Sequence, residues 1–302
     1  MYVIALLQCL ILTTSGQSLL DLMKYWDLDN MKSMIKLVTD ANLTHMLDQE
    51  GPYTLLAPND DAIAQLPRNA LEMILDDKQF VVDLIKYHML PGRLYSRQMT
   101  NDMTVPSLYQ RSGHAENIRF NVYRSGDYTT AEGAWLSWRD KNASNGVLHI
   151  LDKVMYPFPV QNIPQLLTQQ KGKYSLLLSA VKNTSSTQIL EGGPFTLFAP
   201  TDDAFYKLDY NFRAALFANL TALRDVLNYH LIGGTIWEAG FSYDSVVNTI
   251  YGRNVEVKSP YGKPLTVNGI RVKESDITVT NGVIHEIEAV LIPPDFRYMV
   301  KY

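Results

Sequence analysis

Two adjacent carboxylates, Asp202 and Asp203, are the side chains whose types and spacing most directly suggest chemistry. Adjacent acids can shift each other's pKa values and divide the roles of general acid and general base. The same pair recurs as Asp60 and Asp61, because GPFTLFAPTDDAFYKL repeats an earlier GPYTLLAPNDDAIAQL. In both stretches a β-prone run ends at proline, and a polar residue suited to helix capping precedes the acids. Carboxylates are stabilised in the first turn of a helix and consecutive helical side chains diverge by about 100°, so we predict two helix starts and no acid/base pair.

The histidines are the next side chains that could take part in catalysis or metal binding. His88 and His230 lie at helical spacing from apolar residues, in DDKQFVVDLIKYHML and NLTALRDVLNYHLI. This spacing places both imidazoles on the apolar side of a helix, which favours core histidines over ligands or bases. The preceding Tyr87 and Tyr229 point to a different helix face, where we predict greater exposure.

The other two repeated histidines and the common catalytic motifs give no indication of catalysis either. His149 and His285 share a predicted strand face with aliphatic residues, so this pattern again favours core histidines. No GxSxG nucleophile motif and no HExxH metal motif occurs, and the single cysteine, Cys9, lies in the N-terminal segment. We therefore predict a protein that is not an enzyme and that uses no metal and no cofactor.

Three sequence blocks repeat in the same order along the chain. The GP…DDA block and a Tyr-His block recur at an offset of 142 residues (51 to 193 and 87 to 229), and NGVLHILDKVMYP recurs as NGVIHEIEAVLIP at 136 residues (145 to 281). A period of this length corresponds to a whole domain and not to a solenoid repeat. Each copy begins with helix-like patterns and ends with alternating strands and hairpin signals such as Asn268-Gly269, which predicts an α+β class.

The N-terminal segment predicts export. Residues 1–16 combine a short apolar run with small residues, as in a secretory signal peptide, and the run is too short to span a bilayer. The C-terminal residues carry no hydrophobic tail, and a formal net charge of −4 without a basic cluster argues against a nucleic-acid partner. We expect a secreted protein without a membrane anchor. Four N-x-S/T sequons agree with secretion: Asn42, Asn142, Asn183 and Asn219.

The three repeated blocks together resemble the signature of a tandem of two fasciclin domains. They are similar to that family's TxFAPTDxAF, Tyr-His and NGVVHxIDxVLxP motifs, and each occurs twice in order. The resemblance implies fasciclin domains at residues 18–157 and 165–296, each a β-sheet wedge or sandwich with packed α-helices. It also implies an adhesion role in the extracellular space or matrix, through contacts with a cell-surface receptor such as an integrin or with matrix proteins. Self-association of the copies stays open.

The resemblance also implies particular contact residues. In the second copy, KESDITVTNGVIH is similar to the family's KEPDIMATNGVVH stretch, with Ser275 in place of proline and Thr278 in place of methionine. The first copy has RDKNASNGVLH at this point, without an Asp-Ile pair. By the resemblance, the contact residues would be Tyr87, His88, Tyr229, His230, Asp276 and Ile277.

An aromatic insert distinguishes the first copy from the second. The stretch YRSGDYTTAEGAWLSWRDKN carries Trp135 and Trp138, and we interpret it as a hairpin with Trp138 packed inward. If both rings are exposed instead, the insert is a candidate partner surface. A secreted binding module for a glycan, a lipid surface or a small apolar ligand is the alternative function, and no sequence pattern selects it.

Overall fold

The structure is a computed structural model that describes residues 16–25, 30–123, 128–156, 158–241, 243–259 and 264–299. The chain divides into two compact units, Met1–Met155 and Tyr156–Tyr302, which we call module 1 and module 2. The predicted signal peptide lies outside the described residues except for Gly16.

Module 1 begins with helices and ends with a β meander, as the α+β prediction requires. Its described helices are α1 (Leu19–Tyr25), α2 (Lys32–Asp40), α3 (Thr44–Gln49), α4 (Asp60–Ala64), α5 (Arg68–Asp76) and α6 (Lys78–Tyr87). Its strands are β1 (Tyr53–Pro58), β2 (Met89–Pro91), β3 (Met103–Arg111), β4 (His114–Tyr123), β5 (Tyr128–Ala131), β6 (Ala134–Ala143) and β7 (Gly146–Leu151). A short 3₁₀ turn spans Ser96–Gln98.

Module 2 repeats this order of elements. Its described helices are α7 (Ile163–Gln169), α8 (Ser175–Asn183), α9 (Thr187–Glu191), α10 (Asp202–Tyr206), α11 (Tyr210–Ala218) and α12 (Leu220–Tyr229). Its strands are β8 (Phe195–Pro200), β9 (Leu231–Gly233), β10 (Tyr243–Asn248), β11 (Asn254–Ser259), β12 (Thr266–Val267), β13 (Ile270–Val279) and β14 (Gly282–Ile287). The 3₁₀ turn of this module spans Glu238–Gly240, and another lies at Pro294–Met299.

Each module contains a seven-stranded mixed sheet. The strand order is β2-β1-β7-β6-β5-β4-β3 in module 1 and β10-β11-β12-β13-β14-β8-β9 in module 2. β1 pairs in parallel with β7 and antiparallel with β2, and β8 pairs in the same way with β14 and β9. The α+β class predicted from the sequence is therefore confirmed.

Asn-Gly pairs of module 2 occur where the chain must turn sharply or come close to another strand. The predicted hairpin at Asn268-Gly269 is confirmed, because both residues have the positive φ values (48° and 77°) of a type I′ turn. Gly282 begins β14 directly beside β8, where an added Cβ atom would lie 1.9 Å from the carbonyl oxygen of Phe195. No side chain fits there, so glycine is required for the parallel pairing of the two strands.

The helices of each module cover one face of its sheet and form a separate core. In module 1, Leu19, Met34 and Ile85 from the helices pack with Leu55 and Leu148 from β1 and β7. In module 2 a corresponding cluster joins helices α7 to α12 to β8 and β14. A further cluster of module 2 includes buried residues of β11, β12 and β13. Each module thus buries its own hydrophobic core, as its length allows.

Candidate functional site

The paired acids mark helix starts, as predicted, and one acid of each pair also caps a second helix. Asn59 accepts a hydrogen bond from the Ala62 N–H at 2.7 Å and caps α4. The Asp60 carboxylate accepts from the backbone N–H groups of Lys32 (3.2 Å) and Ser33 (2.6 Å), at the start of α2. Asp61 is exposed. The two carboxylates therefore have different surroundings and do not converge on one point.

Module 2 repeats this arrangement. Thr201 caps α10 by accepting from the Ala204 N–H at 3.3 Å. Asp202 accepts from the Leu176 N–H at 2.8 Å and from the Ser175 hydroxyl, at the start of α8. The first-turn position of these acids was predicted from the sequence, but their contact with the other helix was not. The repetition of the pair in both copies was the signal for a structural role.

His88 and His230 are buried core residues, as the helical pattern predicts. The Nδ1 atom of His88 lies 2.8 Å from the Leu84 carbonyl, and its Nε2 atom accepts from the Met155 N–H at 3.1 Å. His230 makes the equivalent contacts with Val226 and Leu291, at 2.7 and 2.9 Å. Burial lowers the pKa of both imidazoles to about 4. Each ring is neutral at pH 7 and links the end of a helix to the segment after the last strand.

The prediction that Tyr87 and Tyr229 are more exposed is wrong. Their side chains are 0% and 1% exposed. The Tyr229 hydroxyl donates to the Asn254 carbonyl at 3.0 Å and accepts from the Asn268 side-chain amide at 2.9 Å. Tyr87 lies near the Asn117 carbonyl, with its hydroxyl 3.4 Å away. Each tyrosine is buried because strands cover the helix face opposite to the helical core.

His149 and His285 are also core histidines, and each binds the backbone N–H of an aspartate in the neighbouring strand. The Nε2 atom of His149 lies 2.9 Å from the Leu94 carbonyl, and its Nδ1 atom accepts from the Asp140 N–H at 3.2 Å. His285 makes the same pair of contacts with Ile236 (2.9 Å) and the Asp276 N–H (3.2 Å). Burial lowers the pKa of both histidines.

Asp276, one of the implied contact residues, has a counterpart in module 1 that was not predicted from the sequence. Asp276 and Asp140 are separated by 136 residues, the offset of the NGV block, and have φ values of 58° and 61°. Each lies at a β-bulge, where an extra residue bends the strand before the Asn-Gly turn. Asp276 accepts from the Glu238 N–H at 2.7 Å, and Asp140 accepts from the Ser96 N–H at the same distance.

The two aspartates have different neighbours on their C-terminal side. Both are partly exposed. Ile277 packs against the helical core of module 2, whereas module 1 has Lys141 at this position. Although partial burial opposes the charge, hydrogen bonds from Ser96 hold the pKa of the Asp140 carboxyl below its ordinary value. Asp140 is therefore ionised at neutral pH.

The prediction that Trp138 packs inward is also wrong, since its side chain is 50% exposed. The period of two would place Trp138 on the same face as the buried Leu136. The register of β6 against β7 shifts between these residues, because Leu136 pairs with Leu151 and Trp138 with Ile150. Between these two pairs β6 therefore has one residue more than β7, and this bulge turns Trp138 outward. Trp135 is half-buried and stacks on Tyr128, with ring centroids 5.2 Å apart.

A cavity of about 650 Å³ opens beside Trp138 in module 1. It lies between the 3₁₀ turn at Ser96–Gln98 and strands β4, β5 and β6. The Nζ atom of Lys141 lies 4.6 Å from the Trp138 ring centroid. Among the described residues, the polar side chains that line the cavity with Trp138 are Ser96, Arg97, Thr129, Ser137, Arg139 and Asp140.

Module 2 contains a buried acid that was not singled out from the sequence. Glu286 in β14 is fully buried, accepts a hydrogen bond from the Tyr174 hydroxyl at 2.9 Å and pairs with Lys173. Although burial opposes the charge, these partners hold the pKa of Glu286 below its ordinary value. The residues of module 1 that correspond to Lys173 and Glu286 are Met31 and Ile150. The ion pair of module 2 thus occupies positions that are apolar in module 1.

The four sequon asparagines are exposed in the structure: Asn42, Asn142, Asn183 and Asn219. In the part of the chain that the structure describes, no three histidine, cysteine, aspartate or glutamate side chains gather as a metal site. Likewise, within the described residues, no helix has the length and apolar character needed to cross a bilayer.

The family model described as the fasciclin domain matches the chain twice. The matched residues are 29–157 and 172–293, one stretch in each module. A solved pair of FAS1 domains from the insect cell adhesion molecule fasciclin I is 21% identical and covers 92% of this chain and 98% of its own, with a TM-score of 0.42.

Several curated relatives contain sequences similar to both modules. The chain is 32% identical over 271 residues to transforming growth factor-beta-induced protein ig-h3 of Sus scrofa, which covers 88% of this chain and 38% of the relative. It is 27% identical to human periostin, over 86% of this chain and 31% of the relative. It is 26% identical to Stabilin-2 of Mus musculus, over 85% of this chain and 10% of the relative. The chain therefore spans less than two fifths of the length of each of these relatives.

Proposed function

The chain belongs to the fasciclin-domain family, and on this premise we propose that it is a secreted extracellular adhesion or matrix protein that acts through protein–protein contacts and catalyses no reaction. Its partners in this proposal are a cell-surface receptor of the integrin type or proteins of the extracellular matrix. The family's adhesion role supports the proposal, as do the four exposed sequon asparagines.

The observation that carries the proposal is that both modules use their repeated polar residues within the fold. The histidines of the Tyr-His and NGV blocks contact backbone groups in the same way in each module. The first aspartate of each DDA block caps a helix. Side chains occupied in this way stabilise the modules, so partner contacts fall to residues that remain exposed.

We centre the receptor contact on Asp276. Of the six residues implied by the family resemblance, only Asp276 and Ile277 are partly exposed, while the Tyr-His pairs are buried. A carboxylate beside an aliphatic side chain provides both an anionic and an apolar contact. In this proposal Tyr87, His88, Tyr229 and His230 affect adhesion through the fold that presents the surface.

The test is attachment of cells to a surface coated with the full chain, with and without divalent cations. Asp276→Asn removes the negative charge, keeps an oxygen that can accept from the Glu238 N–H, and tolerates a positive φ. We expect this variant to lose the cation-dependent part of attachment. Asp140→Asn is the matched control, because Asp140 has the same backbone geometry and lies in module 1.

Two outcomes would contradict the proposal at different levels. If Asp276→Asn and Asp140→Asn both attach cells as the wild type does, while their circular dichroism is unchanged, the contact is not centred on Asp276. If the folded wild-type chain attaches no cells under any condition, the cell-adhesion role itself is wrong.

A further inference from the structure

We propose that the cavity beside Trp138 in module 1 is a binding site for an acidic saccharide, whose carboxylate or sulfate is held by Arg97 and Arg139. The inference goes beyond the adhesion role and does not depend on it. A volume of about 650 Å³ lies within the range of roughly 300–1,000 Å³ that is typical of small-ligand sites.

The charges of the lining favour an anion. Among the described residues of the lining, Arg97 and Arg139 carry guanidinium groups and Asp140 carries a carboxylate, so the formal charge of this set is 2 − 1 = +1. The Asp140 carboxylate is already engaged by the backbone N–H and hydroxyl of Ser96. Among the residues that the structure describes, no carboxylate forms an ion pair with the exposed Arg97, whose guanidinium lies 5.2 Å from the Tyr95 ring centroid. A planar guanidinium of this kind suits a carboxylate or sulfate ligand.

The rest of the lining favours a sugar over a simple inorganic ion. Ser137 brings a partly exposed hydroxyl group to the wall, which donates to the Ile150 carbonyl at 3.1 Å and can still accept from a sugar hydroxyl. The Thr129 hydroxyl is buried and accepts from Arg139 at 3.4 Å, so it helps to hold that guanidinium at the wall. Trp138 adds a half-exposed aromatic surface at the same wall. A net charge of −4 for the whole chain disfavours a long polyanion, so a short acidic unit fits the molecule better.

The site is confined to module 1. At the positions that correspond to Arg97 and Arg139, module 2 has Ala239 and Ser275. Glu274 takes the place of Trp138 and is exposed. Module 2 therefore lacks both guanidinium groups and the aromatic surface, and it serves as an internal reference for the proposal.

Isothermal titration calorimetry on the full chain tests the site with four probes. These are cellobiouronic acid, which carries one carboxylate, cellobiose 6-sulfate, which carries one sulfate, the uncharged cellobiose, and inorganic sulfate. We expect cellobiouronic acid to bind with one site per chain, and cellobiose to bind at least about tenfold more weakly, since it lacks the charge-assisted hydrogen bonds. Equal binding of both disaccharides, or no binding of cellobiouronic acid and of its sulfated analogue cellobiose 6-sulfate, would overturn the proposal. If inorganic sulfate binds as tightly as the acidic disaccharides, the cavity recognises only the anion, and the proposal that the ligand is a saccharide is wrong.

Variants then locate the binding. Arg97→Ala and Trp138→Ala change exposed side chains, so the module should remain folded. We expect each variant to bind cellobiouronic acid at least about tenfold more weakly than the wild type does. The matched control is Arg68→Ala, which removes an exposed arginine of α5 outside the cavity and should leave affinity unchanged. Unchanged affinity in Arg97→Ala, or equal losses in all three variants, would contradict the assignment.

Discussion

Single residues of the repeated blocks make the stability of the protein depend on pH. His88 and His230 are buried, and their pKa is lowered to about 4. An unfolded histidine titrates near 6.5, so between about pH 6.5 and 4 the unfolded chain binds protons that the folded chain does not. The contribution of each histidine is therefore fully present above pH about 6.5 and is lost as the pH falls toward 4.

Replacing His88 separates two contributions of the imidazole to stability, namely its hydrogen bond with the Met155 N–H and its protonation at low pH. In His88→Phe the Met155 N–H loses its acceptor, so we expect the free energy of unfolding at pH 7 to fall by about 1–3 kcal/mol. Between pH 6.5 and 4.5 the variant should lose less additional stability than the wild type, because one protonation site is gone. Urea unfolding followed by circular dichroism at several pH values measures both effects.

An exposed histidine provides the control for this experiment. His45 lies at the surface beside Glu50, and His45→Gln should follow the wild-type pH profile. If His88→Phe also follows that profile, protonation of His88 does not contribute to the acid sensitivity of module 1.

At the residue scale, the sequence predicts which side of an element a residue occupies but not its partners. The helical spacing of His88 correctly indicated burial. The Met155 N–H that it binds lies 67 residues away, so no local pattern could identify it. Tyr87 was predicted wrongly because the same helical pattern describes one packing layer, whereas β3 and β4 cover the opposite side of α6.

At the scale of elements, the paired acids give a matched test of helix capping. The residue before α2, Met31, makes no side-chain capping bond, and Asp60 supplies acceptors from elsewhere in the chain. We expect Asp60→Ala to lower the free energy of unfolding by about 1 kcal/mol. The adjacent Asp61→Ala removes the same charge without those bonds and should leave stability nearly unchanged. Denaturant unfolding of the two variants measures the difference.

Module 2 allows an independent repetition. Asp202→Ala should destabilise the chain as Asp60→Ala does, and Asp203→Ala should not, because only Asp202 binds the start of α8. Equal losses for the two members of a pair would show that charge near the helix, and not capping, is the main contribution.

Local signals at this scale were predicted well, and irregular pairing was not. The helix starts after Pro58 and Pro200 and the turn at Asn268-Gly269 follow from short-range preferences of the residues involved. The bulges in β6 and β13 depend on the register against the neighbouring strand. For this reason the outward turn of Trp138 and the bulge at Asp140 could not be predicted from alternation alone.

At the scale of the whole molecule, the two modules share a plan but build separate cores. The main cluster of module 1 contains residues from Leu19 to Ile150, and that of module 2 contains residues from Ile163 to Val290. The interiors differ in detail, since Lys173 and Glu286 take the places of Met31 and Ile150. The repeat predicts two domains of one fold, but the sequence alone did not show where their interiors or surfaces diverge.

Separate cores lead to a prediction about cooperativity. A destabilising change raises the rate of amide hydrogen exchange throughout the unit that unfolds with it. Asp60→Ala should therefore reduce protection in Met1–Met155 and leave Tyr156–Tyr302 unchanged, while Asp202→Ala should do the reverse. Hydrogen exchange with mass spectrometry on the full chain measures both variants against the wild type. Loss of protection in both modules from either single change would mean that the two modules unfold as one cooperative unit, so that a mutation in one would also weaken the binding surfaces of the other.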